Sequence, residues 1–253
     1  MVSSDFRAEA REKLGGKWGK AACFCLAYIA FSFLFGFVLG FISGLLSLPD
    51  IIIDIISYIV EIPLTFGFTA LLMKLYNNEE AKAFDFVNLA FNNFGRSWGV
   101  ALRMLLKMII PIIILTVSLV LISVGTTISI LSDSSYSFGI SALIGFVIYI
   151  VALIWLIYKS YSYQLSYFLA IDNPEMSSKD AVEKSEQLMN GKRFKLFCLQ
   201  FSFIGWIVLS VLGLGIPLLW ILPYMQFAIM AFYKFALGNE TNVKAEVIEE
   251  NNN

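Results

Sequence analysis

Two residues of opposite charge, Glu61 and Lys159, lie inside long apolar runs of this 253-residue chain. An ionised, unpaired carboxylate in hydrocarbon costs about 2.5 kcal/mol or more, so Glu61 must be neutral, paired or facing a cavity. Glu61 is 13 residues from Lys74 and Lys159 is 11 residues from Ala170, which gives them similar depths. We therefore predict that they form an intramembrane pair. The alternative is that Lys159 extends to the headgroups and Glu61 is protonated and hydrogen-bonded.

The segment around Lys159 is unusually polar for a membrane helix. Its other polar residues are Tyr158, Tyr161, Tyr163 and Gln164. With Glu61 they form the candidate intramembrane polar site. In a transporter this stripe would be a substrate path, with Glu61 as a proton relay. In a structural protein it would be an aromatic belt with hydrogen bonds between helices, the interpretation that we favour.

The common catalytic and metal-binding arrangements are missing from the sequence. The chain has no histidine, which excludes Ser-His-Asp and Cys-His arrangements and zinc sites of the usual histidine type. It has no GxxxxGK[ST] phosphate loop. Cys23 and Cys25 are two positions apart on a predicted helix, so they point to different faces. We expect no enzymatic activity, no catalytic, metal or cofactor site, and no cofactor.

The elements that position these residues are predicted from composition. The chain is 58% hydrophobic and 15% charged, with a mean hydropathy of +0.77, whereas soluble domains are about 45 to 50% apolar and about 25% charged. A bilayer core needs roughly 20 apolar residues per helix. We therefore predict an all-α polytopic membrane bundle of about six transmembrane helices. The predicted spans are residues 21–46, 51–73, 98–124, 139–170, 194–213 and 216–235. The fourth would be about 48 Å long, so it should tilt, kink or project from the membrane.

The basic residues predict the orientation of the chain. With six spans, all 18 lysines and arginines lie on one side of the membrane, which the positive-inside rule makes cytoplasmic. Both termini are then cytoplasmic. The polar, acidic tail of residues 238–253 lacks aromatic side chains and is predicted to be disordered. The net charge of −1 gives no bias toward nucleic acid.

A short string recurs before each odd-numbered span. The strings are GGKWGKAA from Gly15, GRSWGVAL from Gly95 and GKRFKLFC from Gly191. Before each string lies a candidate amphipathic helix. The apolar stripes are Phe6, Ala10 and Leu14; Phe84, Val87, Phe91 and Phe94; and Ala181, Ser185 and Leu188. We predict that these short helices are interfacial. The single membrane domain 1–237 would contain three parallel hairpin repeats, units 5–75, 80–170 and 175–237. The alternative is that such residues collect at membrane boundaries by chance.

The run from Tyr158 to Leu237 resembles a bacterial integral membrane family catalogued as "domain of unknown function 975". The matching features include Asp172-Asn173-Pro174, Ser185, Leu188-Met189, Gly191, Phe197, Ser202 to Trp206, Pro223-Tyr224 and Phe232-Tyr233. RAEAREKLGGKWGKAA resembles the family's opening more loosely. The chain departs from the family at Trp155-Leu156, where members tend to have Pro-Gly, and at Lys192, where they often have histidine. The resemblance implies a bacterial cytoplasmic membrane protein and supplies no activity.

Two functions are compatible with the sequence. The first is a non-enzymatic membrane scaffold, or a partner of other envelope proteins, whose basic cytoplasmic face lies against anionic lipid. The alternative is a small transporter or exporter that uses the Glu61 and Lys159 region. The two differ in whether the polar residues converge on one cavity.

Overall fold

The computed structural model describes the backbone of residues 1–132 and 135–251 and the side chains of residues 1–127 and 142–238. Within these ranges the chain forms eleven helices and no strand. The helices are α1 (Ser3–Leu14), α2 (Trp18–Leu46), α3 (Asp50–Tyr76), α4 (Asp85–Asn92), α5 (Phe94–Ser132), α6 (Ser135–Tyr163), α7 (Ser166–Asp172), α8 (Ser178–Leu188), α9 (Arg193–Phe201), α10 (Ile204–Leu212) and α11 (Leu218–Asn251). The predicted all-α bundle is confirmed.

Six segments are long and apolar enough to cross a membrane. They are Trp18–Leu46, Asp50–Tyr76, Phe94–Thr127, Ala142–Asp172, Arg193–Leu212 and Leu218–Gly238. The long fourth segment is interrupted by a turn at Gln164 and Leu165, which separates α6 from α7. A second turn, at Ser202 and Phe203, separates α9 from α10. The fourth predicted span is therefore interrupted near its end, and whether it tilts or projects from the membrane stays a prediction.

The end of the chain differs from the prediction of a disordered tail at 238–253. The backbone of α11 is helical to Asn251, and residues 252–253 lie outside the described part. A helix that is already anchored can extend because each added residue gains one hydrogen bond without a new nucleation cost. The stretch from Val243 to Glu250 also contains good helix formers such as Ala245 and Glu246.

The densest packing lies where the short helices α1, α4, α7 and α8 meet the ends of the long helices. We call these four helices and the helix ends that they contact the short-helix layer. The α1 stripe Phe6, Ala10 and Leu14 is fully buried, and the Phe6 ring meets Phe232 and Phe235 edge-on at 5.4 Å. The α8 stripe Ala181, Ser185 and Leu188 is buried as well. The predicted stripes therefore pack against the protein itself, not against lipid.

The prediction for α4 is wrong in its choice of face. The expected stripe is largely exposed, with Phe84, Phe91 and Phe94 all at the surface, whereas Phe86 and Ala90 are fully buried. The cause is a close approach to α3 at Gly67. A Cβ atom on Gly67 would lie 2.2 Å from the Phe86 carbonyl oxygen and 2.9 Å from the Ala90 Cβ.

The connections into α2, α5 and α9 share one backbone form. The residue before each helix is Lys17 (φ −120°, ψ 3°), Asn93 (φ −111°, ψ 23°) or Lys192 (φ −112°, ψ −5°). Each carbonyl accepts a hydrogen bond of 2.9 to 3.1 Å from the N–H four residues later, on Ala21, Ser97 and Leu196, which are all fully buried.

The same register holds for the short helices before these connections. Seven positions earlier lie Ala10, Phe86 and Ser185, and all three are fully buried. Relative to the connecting residue, Trp18 is at position 1 and Trp98 at position 5, so the two tryptophans are not equivalent. The three-unit organisation stays a prediction. Aligning the units on Lys17, Asn93 and Lys192 matches their buried positions, which aligning them on the glycine strings does not.

The far half of the α2–α3 hairpin has no buried side chain. None is buried over residues 28–46 of α2 or 50–62 of α3. Burial in this hairpin is confined to Ala21–Ala27 of α2 and Pro63–Tyr76 of α3, which belong to the short-helix layer. We call residues 28–46 of α2 and 50–62 of α3 the outer half of the hairpin. Its side chains therefore face molecules outside this chain.

We predict that Gly67→Ala destabilises the fold by about 1 to 3 kcal/mol, because the added methyl group forces α4 away from α3. The matched control is Gly40→Ala on α2, where a Cβ would meet nothing within 4 Å. It should change stability by less than about 1 kcal/mol, in the stabilising direction, because alanine favours helix. Thermal unfolding of the purified protein in detergent measures both. Equal stability of the two variants would contradict the close α3–α4 contact.

Candidate functional site

A carboxylate that sequence reasoning did not select is the centre of the polar site. Glu186 on α8 accepts a hydrogen bond from Lys159 Nζ on α6 at 3.0 Å and one from Lys107 Nζ on α5 at 3.0 Å. The Tyr163 hydroxyl donates to the same carboxylate at 3.4 Å. One carboxylate thus joins three helices through two ion pairs.

The local sequence of α8 places Glu186 at this position. The Ser177 hydroxyl accepts a hydrogen bond from the Asp180 N–H at 3.1 Å and so caps the start of the helix. Ala181, Val182 and Ser185 are buried on one face, and the Ser185 hydroxyl donates to the Ser162 carbonyl at 2.9 Å. Glu186 follows Ser185, at the edge of the buried face, where it reaches α5 and α6.

The predicted tyrosines connect α6 to α9. The Arg193 guanidinium donates to the Tyr158 hydroxyl and the Ser162 hydroxyl, each at 2.7 Å, and lies 4.4 Å from the centre of the Tyr158 ring. The Tyr161 hydroxyl donates to Gln200 at 2.8 Å. Gln164 is half-buried in the turn between α6 and α7. These contacts are hydrogen bonds between helices, as in the structural interpretation of the stripe.

The predicted pair of Glu61 and Lys159 is wrong. Among the side chains that the structure describes, Lys159 pairs with Glu186, and Glu61 is exposed without an ion pair or hydrogen bond. The physical reason is that Lys159 is four residues from the end of α6, next to α8. Glu61 lies on an exposed part of α3, just before the buried stretch that begins at Pro63. The candidate site is therefore divided between two places.

The two lysines also determine the charge of Glu186. Partial burial by itself would raise the pKa of this carboxyl group, but the hydrogen bonds and charges of Lys159 and Lys107 outweigh it and lower the pKa below the usual 4.5. Glu186 is therefore ionised at neutral pH, and both of its oxygen atoms are engaged. This arrangement fixes helices in place and leaves no free acid or base at the carboxylate.

Arg96 is a second residue that sequence reasoning missed. Its guanidinium, at the start of α5, donates to four backbone carbonyls, those of Ala170, Asn173, Pro174 and Met176. The last carbonyls of a helix have no partner within the helix, and arginine offers five N–H donors in a planar fork. Arg96 therefore holds the end of α7 and the turn after it. The turn-forming sequence Asp172-Asn173-Pro174 could have indicated this contact, because the backbone carbonyls of such a turn require hydrogen-bond donors from elsewhere in the chain.

Asp172 ties the same turn to α11. Its carboxylate accepts hydrogen bonds from the Tyr233 hydroxyl at 3.0 Å and from Lys234 Nζ at 3.3 Å. Beside it lies a cavity of about 370 Å³ whose lining includes Lys74, Glu79 and Arg96. The polar groups of the short-helix layer thus form a network across α5, α7 and α11.

Comparison with known protein families matches residues 1–240 to the family described as "Protein of unknown function (DUF975)". The chain belongs to this family. No curated protein and no solved structure matches the chain. Three of the residues that carry the resemblance to DUF975 lie at helix contacts: Asp172 and Tyr233 join α7 to α11, and Ser185 joins α8 to α6. The Tyr224 hydroxyl, likewise, donates to the Arg7 carbonyl at 3.3 Å and joins α11 to α1.

We predict an energetic coupling of about 1 kcal/mol between Lys159 and Glu186 in a double-mutant cycle with Lys159→Met and Glu186→Gln. Each single change leaves the other charge with fewer partners, so the double change should cost less than the sum. The control cycle combines Lys159→Met with Glu61→Gln, and the two changes in unfolding free energy should be additive. Unfolding of purified variants in detergent measures both cycles. Additivity in the first cycle, or coupling in the second, would contradict the observed pairing.

We predict that acidification removes the Glu186 contribution to stability. A carboxyl group whose folded-state pKa is lowered stabilises the fold above its unfolded pKa, and this stability is lost as the pH falls through the folded pKa. Between about pH 6 and about pH 3, the unfolding temperature of the unaltered protein should therefore fall more than that of Glu186→Gln. Parallel curves for the two proteins would reject this role.

Proposed function

We propose that this chain is a non-enzymatic scaffold of the bacterial cytoplasmic membrane, which binds a helix of another membrane protein on the outer half of the α2–α3 hairpin. The observation that carries the proposal is the position of Glu61. Glu61 is 11 residues from Asp50 and 13 residues from Lys74, or about 16 and 20 Å along the helix axis, so it lies near the middle of α3.

A carboxylate at this depth requires a partner. Left alone it costs about 2.5 kcal/mol or more, and the side chains that the structure describes supply neither an ion pair nor a hydrogen bond to Glu61. Polar residues inside membranes commonly bond to groups on neighbouring helices. A basic or hydrogen-bonding side chain on a second protein would satisfy Glu61 in the same way.

The surface of α2 supports a bound helix. Gly36, Gly40 and Gly44 recur at every fourth position, and a Cβ at any of them would meet nothing within 4 Å. Small residues at this spacing let two transmembrane helices approach closely. Gly36 is 11 residues before Ser47, the residue after α2, and Glu61 is 12 residues after Pro49, so they lie at similar depths.

The transporter alternative has less support. It requires the polar residues to converge on one path, whereas Lys159 is paired with Glu186 in the short-helix layer and Glu61 lies apart. The tyrosines around Lys159 form fixed contacts with Arg193 and Gln200.

We further propose that the short-helix layer is cytoplasmic. Lys17, Arg96 and Lys192 lie in its connections or helix starts, and the positive-inside rule assigns such residues to the cytoplasm. Both chain termini would then be cytoplasmic, and the α2–α3 turn would face outward.

Photo-crosslinking in living cells tests the scaffold. A photoreactive amino acid at Phe37 on the outer half of α2 should give an adduct with another membrane protein. At Leu106 on α5, an equally exposed apolar position (65% against 64% for Phe37), it should give none. Introducing Glu61→Gln should lower the adduct yield at Phe37 about fivefold or more, because the partner loses its charged contact.

Two outcomes would contradict this function. One is an adduct at Phe37 that Glu61→Gln leaves unchanged, or that Leu106 gives equally. The other is an adduct of twice the mass of the chain, since it would make a second copy of this chain the occupant of the hairpin.

A further inference from the structure

A cavity of about 390 Å³ lies between α1, the start of α2, α10 and α11. Apart from Ile221, its wall is made of two arginines, three tryptophans and a tyrosine: Arg7, Arg11, Trp18, Trp206, Trp220 and Tyr224. We call it the arginine–tryptophan cavity. It is separate from the polar network around Glu186 and from the outer hairpin that carries Glu61.

The arginines give the cavity an uncompensated positive charge. No acidic side chain is part of its wall, and neither arginine forms an ion pair within 4.0 Å among the described residues. Arg7 Nε is buried and has no hydrogen-bond partner. A buried donor without a partner costs about 1 to 3 kcal/mol or more when charged, so Arg7 is ready to bind an acceptor from outside the chain.

The rest of the wall holds Arg7 in place. The Tyr224 hydroxyl donates to the Arg7 carbonyl at 3.3 Å, and the Trp18 ring meets the Tyr224 ring edge-on at 5.8 Å. The first contact joins α1 to α11, and the second joins α2 to α11. The arginine backbone is therefore positioned by aromatic groups that themselves belong to long apolar helices.

The arginines and tryptophans of the cavity wall together favour an amphiphilic anion as the ligand. Guanidinium groups bind phosphate oxygens through paired N–H donors. Trp206 on α10 and Trp220 on α11 lie in segments long and apolar enough to cross a membrane, and the two residues are 51% and 43% exposed. Tryptophan is typical of the level of lipid headgroups, where one side of the ring meets acyl chains. A soluble phosphate would use the arginines and leave the tryptophans unexplained.

We propose that the arginine–tryptophan cavity is a binding site for the headgroup of an anionic phospholipid, with Arg7 and Arg11 on the phosphate and Trp206 and Trp220 beside the first acyl carbons. This site does not depend on the scaffold function, since no residue of the outer hairpin contributes to it. It would anchor α1 to the membrane surface through the lipid.

Native mass spectrometry of the full-length protein in detergent tests the site, with phosphatidylglycerol as the probe and phosphatidylcholine as the uncharged comparison. Arg7→Gln with Arg11→Gln should weaken phosphatidylglycerol binding about tenfold or more, since two charge-assisted contacts are lost. The matched control, Lys20→Gln with Lys184→Gln, removes the same charge outside the cavity and should change binding less than about twofold.

Arg11→Gln alone covers the case in which the double variant fails to fold. Arg11 is exposed, so its replacement should leave the unfolding temperature unchanged while weakening phosphatidylglycerol binding about threefold or more. Binding of phosphatidylcholine should be unaffected by any variant.

Three outcomes would overturn the proposal. If the lysine control weakens phosphatidylglycerol binding equally, the lipid is attracted to the basic surface in general. If phosphatidylcholine binds as tightly as phosphatidylglycerol, the site does not select an anionic headgroup. Displacement of the lipid by inorganic phosphate or glycerol 3-phosphate at similar concentrations would assign the cavity to a soluble phosphate.

Discussion

Packing of the short helices against the ends of the long helices is the interaction on which the rest of the structure depends. Phe6 on α1 packs between aromatic rings of α11, Phe86 on α4 lies under the Gly67 contact with α3, and α8 buries Ala181 beside α6 and α7. Beyond this layer the long helices bury little surface, apart from the direct packing of α5 on α6 around Ser118 and Ala152. The relative positions of the other spans are therefore determined mainly by the three short amphipathic helices, which the polar contacts then fix in register.

The polar groups of the molecule fall into two classes with different consequences. Glu186, Arg96 and Asp172 have several partners each, so they stabilise helix contacts. Glu61 and the Arg7 guanidinium lack partners among the described residues, although both would be costly to leave alone. Unsatisfied groups in a protein with a well-satisfied polar network indicate contacts with other molecules. In this chain they suggest a second membrane protein at one place and a lipid at the other.

Much of the fold follows from the sequence because its signals are local. Apolar length predicts the six spans, and the stripes of Phe6 and Ala181 predict α1 and α8 with the correct buried faces. The α4 face was not predictable in this way, since it depends on how closely a glycine on another helix lets the backbone approach. Lys159 was selected as part of the candidate polar site but assigned the wrong carboxylate. Counting along helices gives the depth of a residue, and it does not reveal that a later amphipathic helix places Glu186 beside it. Arg96 has only backbone carbonyls as partners, and backbone acceptors carry no side-chain signal.

The proposed orientation places the short-helix layer on the cytoplasmic side of the membrane, and cysteine accessibility measures this directly. With the three native cysteines replaced by alanine, one cysteine is introduced at Ser178, at the start of α8, or at Ser47, in the α2–α3 turn. An impermeant thiol reagent should label Ser47→Cys but not Ser178→Cys in intact cells, and the reverse should hold in inside-out vesicles. Labelling of Ser178→Cys in intact cells, with Ser47→Cys protected, would place the layer outside and contradict the account.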